Sequence, residues 1–208
     1  MFLDELITSI VQLLVFSLIP FVVYLVGRKS ARGFLRDIGF YRPEGRTVLL
    51  ALLVSVALFA IMWGAFFVTD SVELLQDEAS VAGRLRAAGL SLDTALALIV
   101  IAWIKTSLSE EILFRGFAAK RLIRRLGFQA GNILQALIFG VIHGLLIALV
   151  PDNPIAGWKI ALIVALTGAA GWIIGWIKER RGNGSIIPGW IAHAVGNTIA
   201  YSVVAFAL

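Results

Sequence analysis

No cysteine occurs in the sequence, which excludes a disulfide framework, a cysteine-ligated metal site and S-acylation. Charge is also scarce. Asp, Glu, Lys and Arg make up 15 % of residues, where a soluble domain carries roughly a quarter. Only two histidines are present, so imidazole chemistry has few places to reside. The net charge of +5 comes without a basic face or base-stacking motif, because the cations punctuate apolar runs; nucleic acid is therefore not a partner. The opening residues MFLDELITSIVQ lack the basic n-region and small-residue cleavage site of a signal peptide. They read instead as the start of a membrane span. No long internal repeat or low-complexity tract is visible.

What the chain has in abundance is apolar residues, 60 % of its 208, with a mean hydropathy of +0.93. Runs of about 20 apolar residues are the signature of spanning helices. Six are read, from Leu6 to Val26, Thr47 to Val68, Leu92 to Phe117, Asn132 to Val150, Trp158 to Ile177 and Gly189 to Leu208. The third continues as an extension through AAKRLIRRLG, and Pro20 is a kink candidate in the first. The expected fold class is all-α, a polytopic membrane helix bundle of about six transmembrane helices, forming one domain over residues 1–208.

The cations set an expected orientation. Arg28, Lys29, Arg32, Arg36, Arg42 and Arg46 lie between spans one and two. The end of span three adds Arg115, Lys120, Arg121, Arg124 and Arg125, and Lys178, Arg180 and Arg181 lie between spans five and six. The opposite side has Arg84, Arg86 and Lys159 beside Asp70, Glu73, Asp77, Glu78, Asp93 and Asp152. The positive-inside rule then places both termini outside and the basic loops in the cytosol. Two further features read as ordinary: Gly168, Gly171 and Gly175 form a small-residue stripe for close helix packing, and ARGFLRDIGFYRPEGR is an interfacial segment held by anionic headgroups.

The stretch SEEILFRGF (109–117) closes a run as apolar as LALIVIAWI. An ionised carboxylate near the bilayer centre costs a few kcal/mol even on lenient scales. Glu110 and Glu111 point about 100° apart on a helix, so they need not share a partner. Glu111 and Arg115, at i and i+4 with the acid first, suit an intrahelical ion pair. That leaves Glu110 to face the bundle interior, where a poorly solvated carboxyl suits general acid–base work. His143 ends FGVIH, and His193 opens HAVGN, which places Asn197 on the same helix face.

Depth decides whether these groups can meet. Glu110 lies 15 residues before Arg125 and His143 lies 15 after Phe128. At 1.5 Å per residue each is roughly 22 Å from the turn between spans three and four, so antiparallel neighbours would be level. A lone membrane histidine is ordinarily an interhelical hydrogen-bonding residue, and Glu111 with Arg115 reads as architecture. A Glu, two His and an Asn reaching a common depth on three helices is harder to explain as packing, since apolar replacements would avoid the desolvation cost.

No Ser–His–Asp arrangement, H-E-x-x-H or GxSxG is present, and Ser107 and Ser109 read as helical serines bonded to their own backbone. A carboxylate with an imidazole can hold and deprotonate a water. A second imidazole and a carboxamide can donate to the oxyanion formed when that water attacks a carbonyl. The competing reading has Glu110, His143 and His193 binding zinc, with water in the fourth position. Outside catalysis, the cluster also fits a non-catalytic scaffold or a small proton-relaying transporter, although no two-halved repeat supports the latter.

The pattern resembles the CAAX protease and bacteriocin-processing family, also called Abi, which includes the type II CAAX prenyl endopeptidase. EEILFR matches the family's E-E-x-x-x-R, FGVIH its F-x-x-x-H and HAVGN its H-x-x-x-N, with GSIIPGWIAH as the lead into the third motif. The resemblance covers about residues 105–200. It implies an intramembrane endopeptidase in which Glu110 and His143 activate water, His193 and Asn197 form the oxyanion hole, and Glu111 and Arg115 support the site. The CAAX-cleaving branch is regarded as glutamate-dependent without metal, which makes the metal-free version the favoured one over zinc. The implied partners are the bilayer and a peptide or protein substrate, membrane-associated or lipidated. Bacterial relatives are linked to peptide processing, bacteriocin immunity and regulation of membrane proteins, which points to a prokaryotic plasma membrane.

Overall fold

The computed structural model describes residues 1–76, 80–149 and 156–207, and all regular structure among them is helical. Helix α1 (Phe2–Arg28) runs through Pro20 and ends where Lys29 turns left-handed at φ 54°. A short α2 (Phe34–Asp37) leads to α3 (Gly45–Val68), then to two short helices, α4 (Val72–Gln76) and α5 (Val81–Ala88). α6 (Leu92–Val100) passes into two wider-wound π-helical segments, Ile101–Leu108 and Glu111–Ala119. α7 (Lys120–Ala148), α8 (Gly157–Arg180) and α9 (Ile187–Phe206) complete the chain. The expected span ends at Val150 and Leu208, and the acidic Asp77, Glu78 and Asp152, lie outside the described residues.

Gly127 (φ 78°, ψ 168°) breaks α7. Lacking a Cβ, it reaches this conformation without steric cost. The chain doubles back so closely that a Cβ on Gly131 would meet the backbone of Leu122 and Ile123. The helical stretch Leu92–Ala148 is therefore two antiparallel arms, corresponding to the expected third and fourth spans. Among the described residues four stretches are long and apolar enough to cross a membrane: Phe2–Arg28, Gly45–Val68, Leu92–Ala148 and Gly157–Arg180. α9, expected as the sixth span, falls below that mark because His193, Asn197 and its other polar residues dilute it. The protein is an all-α, polytopic membrane helix bundle.

Contacts give the helices their directions. The Met1 amino group pairs with Asp93 at 3.4 Å and Glu5 with Lys105 at 2.7 Å, so α1 runs parallel to α6 and the π segment after it. Thr47 donates to the Arg181 carbonyl at 2.7 Å and Ser55 to that of Ala192 at 2.6 Å, which sets α3 parallel to α9. Lys159, at the start of α8, reaches the Asp70 carbonyl just past α3 at 2.9 Å. The loops carrying most of the cations consequently collect at one end of the bundle.

At that end the segment expected to lie in the interface is bolted to the protein. Ile38 packs against Ile112 and Ile186, and Gly116 lets the Ile38 carbonyl approach where a Cβ would meet it at 2.8 Å. Ile186 N–H donates to the Gly39 carbonyl at 2.9 Å. Tyr41 Oη donates to the Asn183 carbonyl at 2.6 Å, and Ser185 Oγ to that of Tyr41 at 2.6 Å. Burial, then the nearby Glu179, raise the Tyr41 hydroxyl above its ordinary pKa, with Arg36 opposing. At the other end Leu85 of α5 joins Ala97, Leu98, Ile101 and Ala205 in a second apolar cluster.

The glycine stripe of α8 packs as expected. α7 and α8 touch along Gly140 and Gly168, and a Cβ on Gly140 would run into the Val164 carbonyl oxygen. Gly171 lies against Arg115 and Phe139, and Gly175 against Asn132.

Candidate active site

Glu110 sits between the two π-helical segments, on the first arm of the hairpin. Wide π turns within α-helices are often found at functional sites. Here Thr106 and Ser109 bond back to the carbonyls five residues earlier, Ile101 and Ile104, each at 3.0 Å. Ser109 is thus occupied with its own helix. Ser107 is buried and its hydroxyl has no hydrogen-bond partner among the described residues.

The second arm brings His143 level with Glu110, as the residue counts anticipate, and α9 brings His193. Glu110 Oε2 lies 4.0 Å from His143 Nε2 and 3.8 Å from His193 Nε2. One carboxylate oxygen therefore faces an imidazole nitrogen from each of two other helices. That oxygen is buried and meets no hydrogen-bond donor among the described residues. The three side chains keep some access: 14 % for Glu110, 29 % for His143 and 14 % for His193.

His143 Nδ1 is 2.8 Å from the Phe139 carbonyl oxygen. A carbonyl only accepts, so this nitrogen carries a proton, and Nε2 is the nitrogen turned towards Glu110. Phe139 serves as a hub. Its ring lies 4.3 Å from the His143 ring and 6.3 Å from that of His193. The Arg115 guanidinium stands 4.1 Å above it. The spacing of Phe139 and His143 thus places backbone carbonyl and ring on one histidine.

Glu111 and Arg115 pair at 3.3 Å and are both fully buried, in contrast to Glu110. Glu111 Oε1 also stands 3.5 Å from His193 Nδ1. A Cβ on Gly189 would meet Glu111 Oε2 at 2.8 Å, so this glycine lets α9 approach the carboxylate. Asn197 lies farther along α9, where its Nδ2 donates to Thr106 Oγ1 at 3.0 Å. No hydrogen bond joins it to Glu110 among the described residues.

Thr106 escaped the sequence reading, because a threonine in an apolar run carries no signal until its partner is known. Asn132 and Gln135 were also passed over. Both are fully buried, and Gln135 Nε2 donates to Asn132 Oδ1 and to the Gly171 carbonyl, each at 3.0 Å. Asn132 in turn donates to the Trp172 carbonyl at 2.9 Å. Two amides three residues apart in an apolar run are a legible sign of a helix–helix contact.

Glu110, His143 and His193 are residue types that ligate zinc, but here they stand farther apart than a tetrahedral site places its ligands. An ion at ~2.0–2.1 Å from both atoms of each 4.0 and 3.8 Å pair would open the ligand angles to roughly 160° and 140°, against a tetrahedral ~109°. Among the described residues no set of three His, Cys, Asp or Glu side chains is placed to hold a metal ion.

Fold and site together define a class, a polytopic membrane bundle whose interior gathers a glutamate and two histidines from separate helical arms. The chain belongs to the type II CAAX prenyl endopeptidase Rce1-like family, whose model matches residues 92–199. That match runs from the start of α6 to the middle of α9 and contains Glu110, His143, His193 and Asn197. Comparison with curated proteins and with solved structures gave no match. The family is one of CAAX-protease-type membrane endopeptidases, which take a peptide or protein substrate in a membrane.

Proposed function

We propose that the protein hydrolyses a peptide bond with a water held between Glu110 and His143, without a metal ion and without a covalent intermediate. The observation that supports this is the separation of Glu110 Oε2 from the two imidazole nitrogens, 4.0 and 3.8 Å. A water at ~2.8 Å from both atoms of such a pair spans ~4 Å when its hydrogen bonds open at about 90°. Both protein partners are acceptors in this reading. The water gives one hydrogen to Glu110 Oε2 and the other to His143 Nε2, which leaves an oxygen lone pair for the scissile carbonyl. As that oxygen bonds to the carbonyl carbon, Glu110 takes the proton. When the C–N bond breaks, Glu110 returns it to the departing amine.

His193, through Nε2, and the free N–H of Asn197 stabilise the oxyanion. Glu111 and Arg115 are positioning residues. The basic end of the bundle faces the cytosol, by the positive-inside rule, and the polar cluster lies nearer that end because Ile112, next to Glu111, packs on Ile38 and Ile186.

A purified-protein cleavage assay tests this reading. Glu110→Ala and His143→Ala each lower cleavage by about 10²-fold or more, and a zinc chelator leaves wild-type cleavage unchanged. Wild-type rates in both variants would overturn the mechanism. Loss of cleavage on chelation, restored by zinc, would overturn its metal-free part. A second reading, a non-catalytic scaffold, draws on the sealing of Glu111 and Arg115 inside the bundle. It differs in expecting no cleavage from the wild type, and in expecting the same two variants to lose fold stability while partner binding survives in any variant that still folds.

A further inference from the structure

A groove of about 530 Å³ opens at the basic end of the bundle, lined by none of the residues of the polar cluster. Tyr24 and Arg28, from the last turns of α1, form one side. Arg32 and Arg36 form another, and Asp37 with Lys120 closes it. The walls are held in place. Tyr24 Oη donates to the Arg32 carbonyl at 2.6 Å, and Arg32 N–H donates to Ser30 Oγ at 3.1 Å. Gly33, at φ 88°, allows the approach, since a Cβ there would meet Tyr24 Oη at 3.1 Å.

The charge is unbalanced. Four cations meet one carboxylate, and Asp37 is engaged with Lys120, which reaches its Oδ1 at 2.8 Å and its carbonyl at 2.5 Å. Arg28, Arg32 and Arg36 take part in no ion pair among the described residues. Such a groove calls for an anion with several acceptor oxygens, which guanidinium groups recognise by paired N–H donors.

The surface beside it narrows the source of that anion. α1 is almost wholly unburied along its apolar window, 11 % inside the bundle. Val22, Val23, Leu25 and Val26, next to the groove, are 46, 44, 40 and 74 % exposed. A charged cleft at the end of a lipid-facing apolar helix, with a tyrosine at the boundary, matches an amphiphile whose chains lie along that helix. We propose that this groove binds the phosphate-bearing headgroup of an anionic membrane lipid.

The test uses the full chain in an uncharged detergent, titrated with phosphatidylglycerol, phosphatidylcholine or inorganic phosphate, with bound lipid counted by native mass spectrometry. The expected result is saturable retention of phosphatidylglycerol over phosphatidylcholine. Inorganic phosphate at the same concentration should not displace it. Arg32→Gln with Arg36→Gln weakens retention roughly thirtyfold, about fivefold per cation lost. Arg42→Gln with Arg46→Gln removes equal charge at the same end outside the groove and leaves retention unchanged. If the first pair does not fold, Arg36→Gln alone serves, with roughly fivefold weakening. Equal loss in both pairs would mean diffuse attraction and overturn the site. Equal retention of phosphatidylcholine, or displacement by free phosphate, would overturn the lipid assignment. Peptide cleavage enters none of these readouts, so the proposal stands or falls apart from the hydrolytic one.

Discussion

Adjacent in sequence, Glu110 and Glu111 inhabit different surroundings. Glu110 keeps 14 % of its side-chain surface and faces two imidazole nitrogens. Glu111 keeps none and pairs with an equally buried Arg115. Removing one member of a buried pair strands the other charge, at ~3–5 kcal/mol, whereas replacing both with apolar side chains of similar size is often near neutral. Glu111→Ala is accordingly expected to lower the unfolding midpoint in mild detergent by an amount of that order. Glu111→Leu with Arg115→Met should recover most of it. A double variant as unstable as the single one would show that the pair is not the brace described. Phe139→Leu probes the hub differently. It keeps the carbonyl that accepts from His143 but removes the ring beneath Arg115, so cleavage should fall while the fold persists, as judged by the melting temperature.

At the scale of the elements, the two arms of the hairpin and α8 are held by close backbone approach. Gly140→Ala drives a Cβ into the Val164 carbonyl, and overpacking of this kind costs ~1–3 kcal/mol. Gly64, inside α3, has open space where its Cβ would be, so Gly64→Ala should cost nothing measurable. Thermal unfolding of both variants checks the contrast, and similar losses would argue against the packing role of the stripe. The apolar runs made α1, α3, the two arms and α8 legible in advance, because a bilayer demands about 20 apolar residues of any helix that crosses it. α4 and α5 were not anticipated: they are too short for that demand to mark them. The π winding from Ile101 to Ala119 was equally invisible, since residue types there suit an α-helix and the choice of winding rests on neighbours such as α1 and α9.

For the molecule as a whole, the cations of three loops gather at one end, which predicts that this end is cytosolic. The absence of cysteine makes the prediction easy to check. An introduced Glu44→Cys, at the basic end, should react with a membrane-impermeant thiol reagent only from the cytosolic side, and Leu90→Cys, at the opposite end, only from outside. The reverse pattern would invert the proposed topology. The same end holds the proposed lipid groove, and Ile38, one residue past Asp37 in its wall, packs against Gly116 of the helix bearing Glu110.

By itself the sequence determined that the chain lives in a membrane, that its regular structure is helical, and that Glu110, His143, His193 and Asn197 were the groups to watch. Each conclusion follows from hydration free energy, which penalises charge among apolar residues wherever the chain later goes. Tertiary structure alone decided which of these groups face one another. It sent Glu110 towards both histidines and buried completely the Glu111–Arg115 pair that the i, i+4 spacing already indicated, because Gly127 folds one long helix back on itself and Gly189 lets α9 come close. It also tied Asn197 to Thr106 and left Arg28, Arg32 and Arg36 without an ion pair among the described residues. Such pairings depend on backbone approach between distant segments, which periodicity along one chain does not encode.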